Sequence, residues 1–191
     1  EVKIAGAKAL GLMIAKDIDI SVVVKEVKIQ DWQKLVQELM TTPYVRNISA
    51  IDYYNYDEKN QYKPSSGQKY SLYIGINNIM GPEGDKHKTW ECQIHLIEAK
   101  VFDETKITEV KSKLTDKKRL TILRLKYWAD EVNKVLKSRT NGNYKILSPF
   151  IYEAVLDKGI ETIPDFLKRF TPQIPEKFRE DFEIALKQQE N

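Results

Sequence analysis

The segment from Asp17 to Val24 constrains the fold most strongly, because apolar and polar residues alternate along it. One set of positions carries Ile18, Ile20, Val22 and Val24, and the other carries Asp17, Asp19 and Ser21. A period of two is typical of a β-strand with one face buried. The pattern therefore predicts a strand that turns its apolar face to a core and holds two carboxylates on the opposite face.

The residues on either side of this strand predict a second strand and a helix. Val2 to Ala5 reads as a short strand that leads into Gly6. After the aspartate strand, Asp31 is a plausible N-cap, and Pro43 provides a stop. The residues between them with helical spacing are Trp32, Leu35, Val36, Leu39 and Met40. We expect this amphipathic helix to cover the apolar face of the sheet.

The rest of the chain divides into a β-rich part and a helical part. Three β-rich segments, at about 44–54, 69–77 and 88–98, suggest an antiparallel meander that extends the first sheet. From about Glu104 the pattern becomes helical, with one apolar stripe formed by Ile122, Leu125, Ala129, Val132 and Leu136. The prediction is an α+β protein, with a mixed-sheet core in residues 1–100 and a helical C-terminal region in residues 101–191.

Composition excludes several classes of protein. Hydrophobic residues make up 41% of the 191 residues and charged residues 31%, without an apolar run long enough to cross a bilayer, so we expect a soluble protein without a membrane partner. The single cysteine, Cys92, excludes an internal disulfide and agrees with the reducing cytoplasm. Two histidines are too few to favour a zinc enzyme.

Positive charge is concentrated in residues 101–140, which contain eleven Lys or Arg against six Asp or Glu. Such a patch is either a solvated helix surface or a face for an anion such as a triphosphate, and alone it does not argue for nucleic acid. Lys126 is the notable member, because it falls near the apolar stripe rather than on the solvent side of its helix. It either reaches a ligand or extends past the stripe to water.

The two aspartates and the glycines before them form a pattern suited to magnesium and phosphate. Asp17 and Asp19 share a strand face, where their oxygens can bind hard cations. The turn from Gly6 to Gly11 can present backbone N–H groups to phosphates. This interpretation requires that the two carboxylates lie beside the Gly6 turn, because one shared cation cannot otherwise be reached.

The same stretch resembles the signature of polymerase-β-type nucleotidyltransferases, which include small antibiotic nucleotidyltransferases and uncharacterised relatives. Gly6-Ala7, nine further residues and Asp17-Ile18-Asp19-Ile20 fit that signature, except that the family prefers Gly or Ser where Ala7 stands. The resemblance implies that Asp17 and Asp19 bind two Mg²⁺ ions and that Gly6, Ala7 and Lys8 contact a nucleoside triphosphate such as ATP. It also implies transfer of a nucleoside monophosphate to a hydroxyl acceptor, either a small molecule or a protein, with release of pyrophosphate.

The resemblance further implies a third carboxylate on a neighbouring strand, and residues 90–96 leave two candidates. Glu91 would act as a metal ligand and as the base for the acceptor hydroxyl. Gln93 is the alternative, and an amide there would leave a nucleotide-binding or interaction module with impaired catalysis.

His95 could contact substrate or assist proton transfer, although a lone histidine on a strand is more often hydrogen-bonded structure. We interpret Cys92 as a small core residue. In similar enzymes a lysine of the helical half contacts the triphosphate, which makes Lys126 the candidate for that role, with Arg119 and Lys118 as weaker alternatives.

Tyrosines are clustered near the end of the third strand and in the loop that follows it. They are Tyr53, Tyr54, Tyr56 and Tyr62. Their rings could stack on a base or on the acceptor, and packing within the sheet explains them equally well.

Overall fold

All five strands predicted from the sequence are present in the structure, a computed structural model that describes residues 1–43, 45–53, 71–79 and 90–189. The strands are β1 Val2–Ala5, β2 Asp17–Val24, β3 Asn47–Asp52, β4 Ser71–Ile79 and β5 Trp90–Glu98. The bounds of β2 coincide with the alternating segment, because its period of two extends over the whole strand.

The strands form one mixed sheet in the order β1-β2-β5-β4-β3. Strands β3, β4 and β5 pair antiparallel, which confirms the predicted meander. Strand β1 pairs antiparallel with β2, and β5 joins β2 in parallel. This parallel pairing places β5 beside the aspartate strand β2. The side chains of register partners on the two strands lie on the same face of the sheet.

One face of the sheet carries the hydrophobic core of the N-terminal part. Ile74, Ile76 and Cys92 are buried at its centre. Apolar side chains of helix α2 (Ile29–Met40) pack against them, and these are Trp32, Leu35, Val36 and Leu39. Full burial of an apolar side chain stabilises a fold by roughly 1.5–3 kcal/mol, and these partly buried side chains each contribute less. Since Ile18 and Ile20 face this core, Asp17 and Asp19 must face away from it.

Two local predictions in this part were wrong. Helix α2 begins at Ile29, so Asp31 lies in its first turn instead of capping it. There its carboxylate still faces the partial positive charge of the helix N-terminus. The predicted turn after Gly6 is a short helix, α1 (Gly6–Leu10), which ends at Gly11 with a positive φ of 65°.

The second half of the chain is helical, as predicted. The chain divides into two compact units, residues 1–108 and 109–191. The further helices are α3 Thr105–Lys113, α4 Asp116–Arg139, α5 Ser148–Tyr152, α6 Ile163–Phe170 and α7 Arg179–Lys187, with short 3₁₀ turns at Thr171–Gln173 and Glu176–Phe178. The predicted apolar stripe of α4 is buried throughout. Within the described residues no helix is long and apolar enough to cross a membrane.

Helix α5 begins at Ser148, with Leu147 at the cap position. The helix continues as a π-helix at Glu153–Asp157, and Gly159 then adopts a left-handed conformation with φ 67°. The following helix begins after Thr162, whose hydroxyl accepts a hydrogen bond from the N–H of Asp165.

Candidate active site

The junction between β1 and α1 places a glycine directly against the second aspartate. Ala5 is the register partner of Asp19, so Gly6 follows at the edge of the aspartate strand. A Cβ atom added to Gly6 would lie 1.7 Å from Oδ2 of Asp19 and 2.7 Å from its Cγ. The carboxylate of Asp19 therefore occupies the space that any other residue at position 6 would fill. This contact places the Asp19 carboxylate beside the Gly6 turn.

Asp17 lies two residues before Asp19 on the same face of β2, and both side chains are half-buried. Two half-buried carboxylates at this spacing repel each other, and a bound cation offsets that repulsion. Carboxylate oxygens are the ligands that magnesium prefers, and the bare α-carbon of Gly6 leaves room for Asp19. The residues present therefore fit a magnesium site.

Helix α1 presents its N-terminus at the same junction. The first N–H groups of a helix have no carbonyl partner within it, and the methyl group of Ala5 cannot cap them. The C-terminal end of the helix is closed, since Leu12 donates its N–H to the carbonyl of Ala7 at 2.8 Å. The backbone of Gly6, Ala7 and Lys8 thus forms an uncapped turn beside Asp19.

The neighbouring strand β5 supplies both candidates for the third acidic position. Glu91 is the register partner of Asp17, and Gln93 is the register partner of Asp19. Glu91 is exposed and Gln93 is half-buried. In the part of the chain that the structure describes, no three His, Cys, Asp or Glu side chains lie close enough together to hold one metal ion. The carboxylate of Glu91 would have to move to join the two aspartates.

His95 lies further along the same face, within a polar and aromatic cluster. Its Nδ1 is 3.2 Å from the hydroxyl oxygen of the buried Ser71, and its ring centroid is 5.2 Å from that of Tyr73. Burial lowers the pKa of His95 below its ordinary value, so the ring is neutral at pH 7. These contacts confirm the interpretation of His95 as a hydrogen-bonded structural residue.

Cys92 lies on the opposite face and is buried in the core, as expected from the sequence. Burial raises the pKa of its thiol, and the negative charge of Asp19 raises it further. The thiol is therefore protonated at neutral pH.

Lys126 belongs to the helical unit and is only 8% exposed, which agrees with its position near the stripe of α4. Its Nζ lies 5.8 Å from the ring centroid of Tyr152, a contact of the cation–π type. A lysine is rarely buried this deeply unless its charge is paired.

Sequence reasoning missed Ser71, Tyr73 and Gly75, which lie on the site face of β4. A glycine in the interior of a strand was the available signal, since such residues often mark a close approach. Tyr53 is 2% exposed, and its ring centroid is 5.8 Å from that of Tyr73. The other clustered tyrosines, Tyr54, Tyr56 and Tyr62, lie outside the described residues.

Comparison with solved structures shows what this fold is. Two crystal structures of Cid1 poly(U) polymerase match this chain. The first matches with a TM-score of 0.51 at 14% sequence identity. The second, with MgGTP bound, matches with a TM-score of 0.55 at 15% sequence identity. Both matches cover 86% of this chain, and they cover 43% and 45% of the polymerase chains. A third structure, of Cid1 with its RNA terminal uridylyl transferase activity, matches with a TM-score of 0.54 at 15% sequence identity. This match covers 84% of this chain and 40% of the Cid1 chain.

The chain thus spans less than half the length of these polymerases, and at such identities the likeness concerns the fold. No family model matches the sequence, and none of the curated proteins compared with it is a match. The chain has the nucleotidyltransferase fold, an α+β architecture with an N-terminal mixed sheet and a helical C-terminal half. The predicted resemblance to polymerase-β-type nucleotidyltransferases is confirmed at this level.

Proposed function

We propose that this protein binds a magnesium–nucleoside triphosphate, ATP in the first instance, and transfers the nucleoside monophosphate to a hydroxyl acceptor with release of pyrophosphate. The observation that carries the proposal is the position of the Asp19 carboxylate, which lies against Gly6 at the N-terminus of a helix without a side-chain cap. The likeness of fold to a polymerase crystallised with MgGTP supports the choice of ligand. The cytoplasm, where ATP is abundant and Cys92 stays reduced, is the proposed compartment.

In this proposal each residue has a defined task. Asp17 and Asp19 hold up to two Mg²⁺ ions, which supply charge neutralisation at the reacting phosphate. The N–H groups of Gly6, Ala7 and Lys8 donate to the terminal phosphates. Since Ala7 has no hydroxyl group, those contacts come from the backbone alone.

Lys126 is proposed as the cation that contacts the triphosphate. Replacement by methionine keeps the length of the buried side chain and removes its charge. We expect Lys126→Met to weaken binding of Mg-ATP about tenfold, the value of one charge-assisted hydrogen bond. Isothermal titration with Mg-ATP measures this, and Lys137→Met, an exposed cation on the same helix, is the control. Equal affinities in the two variants would exclude Lys126 from the nucleotide site.

Glu91 is proposed as the third acidic group, which takes the proton from the acceptor hydroxyl and completes the metal site. Its register with Asp17 supports this choice. We expect Glu91→Gln to reduce pyrophosphate release roughly 10²- to 10⁴-fold, as is typical for loss of a general base. The affinity for Mg-ATP should change much less, because Asp17 and Asp19 remain. Glu26→Gln, a change at an exposed loop residue, is the matched control.

A second candidate function is a nucleotide-binding or interaction module with impaired catalysis. It is favoured by the register of Gln93 with Asp19, which puts an amide opposite the aspartate, and by the lack of a ready three-carboxylate group among the described residues. Pyrophosphate release separates the two functions. Release from ATP with any acceptor in a panel of small molecules, proteins and RNA supports the enzyme. Binding without release, together with gain of release in Gln93→Glu, supports the module.

A further inference from the structure

The chain leaves helix α4 through an asparagine followed by a glycine. Asn141-Gly142 is the only such dipeptide in the sequence, and both residues are exposed. They come directly after Thr140, the C-cap residue of the helix. Their φ angles are 50° and 77°, so both lie in the left-handed region. Glycine and asparagine tolerate this region best, so the end of the helix itself favours the pair.

Asparagine followed by glycine is also especially prone to spontaneous deamidation. In that reaction the backbone nitrogen of the following residue attacks Cγ of the asparagine side chain, and a glycine has no side chain to obstruct the attack. At Gly142 an added Cβ atom would meet nothing within 4 Å, so the surroundings are open as well. Within the described residues the side chain of Asn141 makes no hydrogen bond that would hold its amide away from the backbone.

Hydrogen bonds of the turn keep the attacking nitrogen occupied while the turn is closed. Gly142 donates its N–H to the carbonyl of Lys137 at 3.0 Å. Beside it, Asn143 donates to the carbonyl of Thr140 from Nδ2 at 2.8 Å and from its backbone N–H at 3.0 Å. Attack therefore requires the turn to open, and helix ends open at a small cost in free energy.

We propose that Asn141 is a site of spontaneous deamidation in the folded protein and that opening of the C-terminal turn of α4 sets its rate. Hydroxide removes the amide proton of Gly142 in the open turn. A bond then forms between this nitrogen and Cγ of Asn141, and the bond from Cγ to Nδ2 breaks with release of ammonia. Water adds to either carbonyl of the resulting succinimide ring, which opens to aspartate or isoaspartate. The net reaction consumes one water molecule and releases one ammonia molecule.

Both products destabilise the end of α4. Each puts a carboxylate at the negative end of the helix dipole, and isoaspartate also adds a methylene group to the main chain of the turn. Two residues before the new charge, Arg139 joins α4 to α7 through an ion pair with Asp181 at 2.8 Å. Deamidation therefore acts as a clock that loosens the contact between these two helices.

The test follows the amide of Asn141 during incubation of the full chain at mildly alkaline pH. Trypsin cuts after Arg139 and Lys145, so one peptide carries both Asn141 and Asn143, and mass spectrometry reads the conversion of each. We expect aspartate and isoaspartate at Asn141, whereas Asn143, which precedes the bulky Tyr144, keeps its amide. Conversion should be at most about tenfold slower than in the urea-unfolded chain, the fold-change that one backbone hydrogen bond provides.

A pair of asparagine variants tests the role of the turn. Asn143→Ala removes the hydrogen bond from Nδ2 to Thr140 and should accelerate the conversion of Asn141 about two- to tenfold. Asn47→Ala, the same change at an exposed position of β3, should leave the rate unchanged. Asn141→Asp copies one product and should lower the midpoint of thermal unfolding by about 1–4 °C.

Two results would overturn the inference. If conversion in the folded protein is slower than the tenfold limit, it needs global unfolding and the turn is not the site of opening. If Asn143→Ala and Asn47→Ala convert at the same rate, the hydrogen bonds of the turn do not set the rate. Thermal unfolding of each variant checks its fold, and neither readout depends on nucleotide binding.

Discussion

Replacing both Asp17 and Asp19 by alanine is expected to abolish magnesium-dependent binding of ATP. The two carboxylates are the proposed metal ligands, and a bound divalent metal contributes several kcal/mol to holding charged oxygens. Since 1.4 kcal/mol corresponds to a tenfold change, the Kd for Mg-ATP should rise on the order of 100-fold or more. Isothermal titration with ATP in the presence and absence of Mg²⁺ measures the loss, and EDTA should bring the unmodified protein to the same level.

The fold should survive this double substitution. Both aspartates face away from the core, so their removal leaves the packing of the sheet in place. We expect the variant to keep a cooperative thermal unfolding transition. A variant with Glu26→Ala and Asp31→Ala removes the same net charge from exposed positions and should bind Mg-ATP normally. Metal-dependent binding that persists in the aspartate variant would reject the assignment of the metal site.

The sequence predicted the strands and the site aspartates because both depend on local pattern. The period of two along Asp17–Val24 carries its own information about which face is buried. The spacing between Gly6 and Asp17 also has a structural cause. After β1 ends at Ala5, the chain needs one short helix and a return segment before β2 can pair antiparallel and bring Asp19 back to Gly6. The spacer in the nucleotidyltransferase signature corresponds to this path of the chain between Gly6-Ala7 and Asp17.

The ambiguity between Glu91 and Gln93 could not be resolved from the sequence, because it depends on a long-range register. Both residues alternate onto the same face of β5, so periodicity treats them alike. The parallel pairing with β2 assigns Glu91 to Asp17 and Gln93 to Asp19. It joins strands separated by α2, β3 and β4, and local propensity contains nothing about such a pairing.

Short or irregular helices were missed for a related reason. Five residues give helix α1 little more than one turn, and a single turn shows no helical periodicity. The π-helix at Glu153–Asp157 has three apolar residues between two acidic ones, and such a segment carries no local signal of a π-helix. The space at Gly75, where an added Cβ atom would lie 2.5 Å from the Tyr73 hydroxyl oxygen, is likewise visible only when the ring of Tyr73 is placed.

Substitution of Gly6 by alanine is expected to disable the site through a single methyl group. At this position the new Cβ atom would lie 1.7 Å from Oδ2 of Asp19, a separation that non-bonded atoms do not tolerate. Either the Asp19 carboxylate moves away or the β1–α1 junction shifts, and both changes separate the metal ligand from the phosphate turn. We expect the affinity for Mg-ATP to fall nearly as far as in the double aspartate variant, as measured by the same titration.

Backbone strain alone must be separated from this collision, because Gly6 also has a positive φ of 57°. Alanine in the left-handed region costs about 1–2 kcal/mol wherever it occurs. Gly142 has a φ of 77°, and an added Cβ atom there would meet nothing within 4 Å. Gly142→Ala should therefore lose a similar amount of stability in thermal unfolding and still bind Mg-ATP. If Gly6→Ala behaves like Gly142→Ala in both measurements, the contact between Gly6 and Asp19 is not part of the nucleotide site.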